Sequence, residues 1–183
     1  MNAIRPALVT FALLASACSS QAPPTDVFSG GDLQSASADF RIVMLDRCEP
    51  ESFNAVLGAG TCVGDGNVTF TEFIAELVKK QTHHQWRFQP TQVALKSERP
   101  IGVVNVGGEV HTFTPVAEFG GGFVPDLNNL TGNPVPAPEC LDFGTIQFLP
   151  PGSVTPLAGL PEGTHLFMCC IHPWMRTTAE VHR

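Results

Sequence analysis

The chain has 183 residues, 43% of them apolar and 15% charged; that length suits one domain, and the composition supports a packed core rather than a disordered chain. Seventeen acids against ten Lys and Arg give a net charge of −7, which argues against a nucleic-acid or anionic-membrane surface, because both need clustered cations. Seventeen Gly and 16 Pro fit a turn-rich β domain better than a helical bundle, and no apolar run is long enough to span a bilayer.

The N-terminus carries export features. Arg5 followed by the apolar run Pro6 to Ala15 reads as a signal peptide over residues 1–17, with a core too short for a transmembrane helix. It ends in Ala15-Ser16-Ala17-Cys18, which resembles the lipobox of bacterial lipoproteins, where the Cys becomes the lipid-bearing first residue. Ordinary cleavage after the Ala-x-Ala pattern is the alternative. Either way the mature chain is expected in the periplasm or cell envelope, and a lipid on Cys18 would anchor it to the membrane. Residues 18–40 read as tether and linker, small and polar in their first part.

Export permits disulfides. The six cysteines are Cys18, Cys48, Cys62, Cys140, Cys169 and Cys170. With Cys18 lipidated and one of the vicinal pair reserved for a metal, four remain, and four can pair in three ways. Cys48 with Cys62 is favoured because it closes a short Gly-containing loop; Cys140 with Cys170 is the companion pairing.

Residues 41–84 read as an N-terminal extension with one short α-helix. Phe70, Phe73, Ile74, Leu77 and Val78 fall on one helical stripe, and Thr69 with Glu72 makes a capping box. Lys79 and Lys80 lie where the helix dipole favours cations. Asp65 to Glu72 mimics the second half of a calcium loop. The first half fails, because Thr61 and Val63 occupy positions that need oxygen ligands, so a capped helix start is the simpler account.

From Gln85 the texture changes to short β-like runs: Trp86 to Phe88, Gln92 to Lys96, Gly102 to Val106, Val110 to Thr114, Ile146 to Phe148, Thr164 to Cys169 and Thr178 to His182. Each is bounded by Gly, Pro, Asn or Asp, which predicts an antiparallel sandwich. The Gly- and Pro-rich stretch from Phe119 to Pro161 reads as insertion loops.

The chemistry is concentrated in Cys169-Cys170-Ile171-His172-Pro173-Trp174-Met175. A thiolate, an imidazole and a thioether lie within seven residues at a strand end and the following turn. Those are the ligand types of a copper electron-transfer site: one Cys and two His in a plane, with a weak axial Met. Cys169 rather than Cys170 gives Cys-x2-His-x2-Met spacing, and adjacent strand residues point to opposite faces, so both are not expected on one ion. The second His must come from elsewhere, and His111, following Gly107-Gly108 at a strand start, is the candidate. Covalent haem would need Cys-x-x-Cys-His, which is absent. Zinc is disfavoured because Met is a poor zinc ligand, and nothing singles out the orienting group of a Cys-His hydrolase. His83 and His84 are expected to be solvated, His165 structural, His182 near an exposed end, and Trp174 a shield at the site edge.

Cys169-x2-His172-Pro173-x-Met175-Arg176 resembles the copper loop of the cupredoxins, and in length that of amicyanin. Trp86-Arg87-Phe88-Gln89-Pro90, the run to Asn105 and then His111 are similar to the opening strands of that family. The resemblance covers residues 85–183. It implies an all-β Greek-key sandwich, one type 1 copper ion held by His111, Cys169, His172 and Met175, and electron transfer through an exposed edge of His172. Thr177 stands where the family usually has Gly. Thr112 stands where Asn is common, and its hydroxyl is expected to act as a donor that orders the loop. The function so implied is that of an exported single-electron carrier, not an enzyme, acting as a monomer with redox partner proteins. A copper storage, delivery or sensing protein is the alternative.

Overall fold

A computed structural model describes residues 40–183; the expected signal peptide, the anchor at Cys18 and the tether up to residue 39 lie outside the described residues. The described residues carry ten strands, three short α-helices and one 3-10 turn. None of these helices is long and apolar enough to cross a membrane.

The first sheet joins β1 (Phe40–Leu45), β2 (Arg87–Gln89), β4 (Ile101–Asn105) and β8 (Val154–Leu157) in the order β2-β1-β4-β8. The second joins β3 (Gln92–Lys96), β6 (Thr114–Val116), β9 (Gly163–Met168) and β10 (Arg176–His182) in the order β3-β10-β9-β6. A two-stranded piece pairs β5 (His111–Thr112) with β7 (Phe148–Leu149). The prediction of an antiparallel sandwich needs correcting in two places. β1 runs parallel to β4, with Phe40 opposite Ile101, and β10 runs parallel to β3, with Thr178 opposite Gln92. Both pairings join segments distant in sequence, so neither leaves a hairpin turn to read.

Burial explains the strand assignments. β4 is covered on both faces, as its unbroken Ile-Gly-Val-Val run requires. β10 alternates, placing Thr177, Ala179 and Val181 inward. Ile42, Phe88 and Val103 from one sheet share a core with Phe167 and Ala179 from the other. Phe113 bridges the layers, 5.3 Å from Phe88 and stacked on Phe167 at 4.4 Å between ring centroids.

The stretch 41–84 contributes more than the single helix expected of it. It supplies β1, an interior strand of the first sheet, and two helices, α1 (Pro50–Leu57) and α2 (Phe70–Lys80). Glu49 caps α1 by accepting the N–H groups of Glu51 and Ser52, and Pro50 occupies its first turn. Thr69 and Glu72 form the capping box of α2 as predicted, so Glu72 is engaged at a helix start. The Cys48–Cys62 disulfide brackets α1. Phe53 of α1 meets Phe70 of α2 edge-on at 5.3 Å and stacks on Trp86 at 5.8 Å, which fastens both helices to the sandwich.

The segment Phe119 to Pro161 contains a six-residue helix, α3 (Pro125–Leu130), the 3-10 turn at Pro138–Leu141, β7 and the edge strand β8. Pro156 lies in β8, as an edge strand permits. The Cys140–Cys170 disulfide, the second favoured pairing, ties the 3-10 turn to the segment after β9.

Candidate metal centre

Cys169 directly follows β9 and Met175 directly precedes β10, so the hairpin register of those strands fixes both ends of the intervening loop. Two backbone bonds close it: Cys169 N–H donates to the Met175 carbonyl at 3.0 Å, and Met175 N–H to the His172 carbonyl at 2.9 Å. Arg176 holds the loop from outside, donating to the carbonyls of Pro173 (2.6 Å) and Gly120 (3.0 Å) and to Asn133 Oδ1 (2.8 Å).

Three predicted site residues meet at one point. His111 Nδ1 lies 3.2 Å from His172 Nδ1, and Cys169 Sγ lies 3.9 Å from the first and 3.8 Å from the second. A triangle with those edges has its centre about 2.1 Å from each corner, inside the roughly 2.0–2.3 Å span of zinc bonds to imidazole and thiolate. All three residues are buried, and Cys169 is the one free cysteine among the described residues. Met175 is wholly buried in the same core cluster as Cys169. The three converging donors suit one soft-to-borderline metal ion.

Two carboxylates face the imidazoles, one of them hydrogen-bonded to its ring, and neither was singled out by sequence reasoning. Asp46, at the exit of β1, sits 2.9 Å from His111 Nε2 and accepts backbone N–H groups from Gly108 (2.9 Å), Glu109 (3.1 Å) and Cys48 (3.2 Å). Gly107 lets this approach happen, because a Cβ there would collide with the Asp46 carboxylate. Burial would raise the Asp46 carboxyl, but the hydrogen bond and charge of His111, with the two loop amides, outweigh it and hold the group at about 2. An ionised Asp46 only accepts, so Nε2 of His111 keeps a proton toward it, and Nδ1 is the nitrogen that faces the sulfur. Burial would lower His111, yet Asp46 and the Cys169 thiolate raise it to about 10. Burial would likewise raise the Cys169 thiol, but the two imidazoles reverse this and hold it well below its ordinary value.

Glu109 lies beside His172 without hydrogen-bonding it. Its Oε2 accepts the indole N–H of Trp86 at 2.6 Å and lies 3.7 Å from His172 Nε2. Burial raises the carboxyl of Glu109 above its usual range, against the opposing charge of His172.

Thr112 orders the loop as an acceptor rather than through a donated hydroxyl. Its Oγ1 takes the N–H of Cys170 at 2.7 Å and the hydroxyl of Thr114 at 3.2 Å, while its own backbone N–H points at Cys169 Sγ from 3.4 Å.

Two expectations about exposure are overturned. His172 is only 3% exposed and offers no open edge. Phe73 of α2 meets it at 6.5 Å and Trp174 at 5.3 Å, both edge-on, and Trp174 is tied down by donating to the Trp86 carbonyl. His83 is 2% exposed rather than solvated, because it packs between Phe73 (5.5 Å) and Trp86 (4.5 Å). His84 is exposed and pairs with Glu76 at 2.7 Å. His165 hydrogen-bonds the Pro161 carbonyl, and His182 is exposed.

No family model matches the sequence, and no curated protein matches it either. Among solved structures, the chain is similar to a purple cupredoxin from Nitrosopumilus maritimus at 12% identity, with 79% of this chain and 100% of that one covered and a TM-score of 0.44. It is also similar to an oxidised plastocyanin from Dryopteris crassirhizoma at 14% identity, covering 78% and 99%, with a TM-score of 0.39. A Cu(I) amicyanin variant matches at 14% identity over 52% and 73%, with a TM-score of 0.35. These scores are low, and what the site can hold follows from its own side chains.

Proposed function

We propose that His111, Cys169 and His172 would hold one copper ion, with Met175 as a fourth donor, and that the protein carries single electrons in the cell envelope. The observation that supports this most directly is the convergence of two Nδ1 atoms on an unpaired, buried cysteine sulfur. When bound, copper would supply a one-electron couple.

The chain's own residues do the rest. The two imidazoles keep Cys169 as a thiolate. Asp46 fixes the tautomer of His111, and Glu109 faces the remote nitrogen of His172. Closed backbone bonds and burial leave the donors little room to move, which suits a site that must accept and release an electron with little rearrangement. In this reading the protein is exported, anchored through a lipid on Cys18, and exchanges electrons with redox partner proteins.

Optical and EPR spectra of the Cu(II)-loaded protein test the assignment. An intense visible sulfur-to-copper band with a narrowed copper hyperfine splitting supports it; a colourless protein with ordinary tetragonal EPR contradicts it. The burial of His172 favours a second reading, copper storage or delivery, since a partner cannot touch the ligand edge. A carrier exchanges electrons rapidly while keeping its metal, whereas a delivery protein surrenders Cu(I) to an acceptor.

A further inference from the structure

Away from His111, Cys169 and His172, Glu76 near the end of α2 meets His83 and His84 of the turn that follows. One ligand atom from each lies within 4.8 Å of the other two. His83 Nε2 stands 3.6 Å from Glu76 Oε2, too far for a hydrogen bond. That spacing matches the edge of a tetrahedral site, since bonds of roughly 2.0–2.2 Å set neighbouring donors about 3.3–3.6 Å apart. His83 is 2% exposed and packs between Phe73 and Trp86, so this donor is held in place. His84 Nδ1 lies 2.7 Å from the other oxygen, Oε1, on an exposed side chain that can turn. The two rings stand nearly parallel, 5.4 Å apart. A cleft of about 370 Å³, lined also by Asn67 and Gln85, reaches His83 and Glu76 and gives an ion a way in.

From this geometry we infer a second metal site, in which Glu76, His83 and His84 take a divalent cation of the zinc class, with water in the fourth position. Two imidazoles and one carboxylate are borderline donors that suit such an ion, and without a thiolate they do not favour Cu(I). Lys80 bonds Oε1 of Glu76 at 3.2 Å, not the oxygen that faces His83. The ion takes the Nε2 lone pair of His83, so the ring proton moves to Nδ1 and the long 3.3 Å bond from the Gln85 N–H is given up. His84 binds through Nδ1 and carries its proton on Nε2, which faces solvent. Once filled, the site ties the end of α2 to the turn that leads into β2. The inference goes beyond the copper assignment and does not depend on it.

The test is a titration of the full chain with Zn(II), followed by the imidazole NMR signals of histidine-labelled protein. Saturable shifts of the His83 and His84 rings together are expected. Glu76→Gln and His84→Ala, read at the His83 ring, should each weaken zinc binding at least about tenfold, the lower end of what losing a ligand's supporting partner costs. Three results would overturn the inference: no saturable shift, a shift of His84 alone, which marks adventitious binding to one exposed imidazole, or unchanged affinity in either folded variant. His84 is exposed, so His84→Ala keeps the test decisive even if Glu76→Gln disturbs the helix. Zinc that enters the buried cluster shifts the rings of His111 and His172 instead, so a failed copper reading and a failed second site are read from different signals.

Discussion

The imidazole of His111 has two nitrogens, and only one can face Cys169. Asp46 settles which, because its ionised carboxylate accepts the proton on Nε2. In Asp46→Asn the amide can present an N–H to Nε2 instead, which drives the proton onto Nδ1 and into the cluster. Copper affinity in that variant should fall about 10- to 100-fold, as measured by competition with a chromogenic Cu(I) chelator; unchanged affinity would show that Asp46 does not orient the ring. Asp46 was not legible in the sequence. It lies 65 positions from His111, at the exit of a strand whose parallel pairing leaves no local mark. Glu109 stands two residues before His111, yet only the position of Trp86 shows what its carboxyl does.

Helix α2 was the most legible element, because its stripe and capping box are both local patterns. What it covers was not, since the contact of Phe73 with His172 depends on tertiary packing. The end of α2 also sets an acid response. Burial holds His83 at about 4 against an ordinary 6.5, despite the nearby charge of Glu76. Between those values the unfolded chain binds a proton that the folded chain refuses, so stability is full above about pH 6.5 and falls towards pH 4. Glu76 resists the raising effect of burial through its bonds to His84 and Lys80 and sits at about 2 against an ordinary 4.5. Its contribution is lost below pH 4.5. Urea denaturation across pH 4 to 7 should show the decline, and His83→Gln should flatten the part above pH 4.5; an unchanged slope would contradict it. The β8 edge strand escaped the sequence reading because its Pro156 and its Gly-flanked setting look like loop.

Across the whole molecule, the local signals sufficed for β3, for α2 and for the order of sulfur and nitrogen groups in the ligand loop. The segments that close the site, β1 with α1 and the Phe119–Pro161 excursion, act through contacts between residues far apart in sequence, which no period reveals. The Cys140–Cys170 disulfide joins the Phe119–Pro161 excursion to the ligand loop and separates structural from chemical roles within the vicinal pair. Replacing both with Ala (Cys140→Ala, Cys170→Ala) should cost about 2–4 kcal/mol of stability in denaturant titrations while the visible copper band persists; loss of the band in a folded variant would implicate Cys170 in the site. The most direct measurement is copper K-edge X-ray absorption on the loaded protein in both oxidation states. One sulfur and two imidazole nitrogens at nearly constant distances in Cu(I) and Cu(II) is the predicted result, and a shell of nitrogen and oxygen alone, or one that expands on oxidation, would contradict the account.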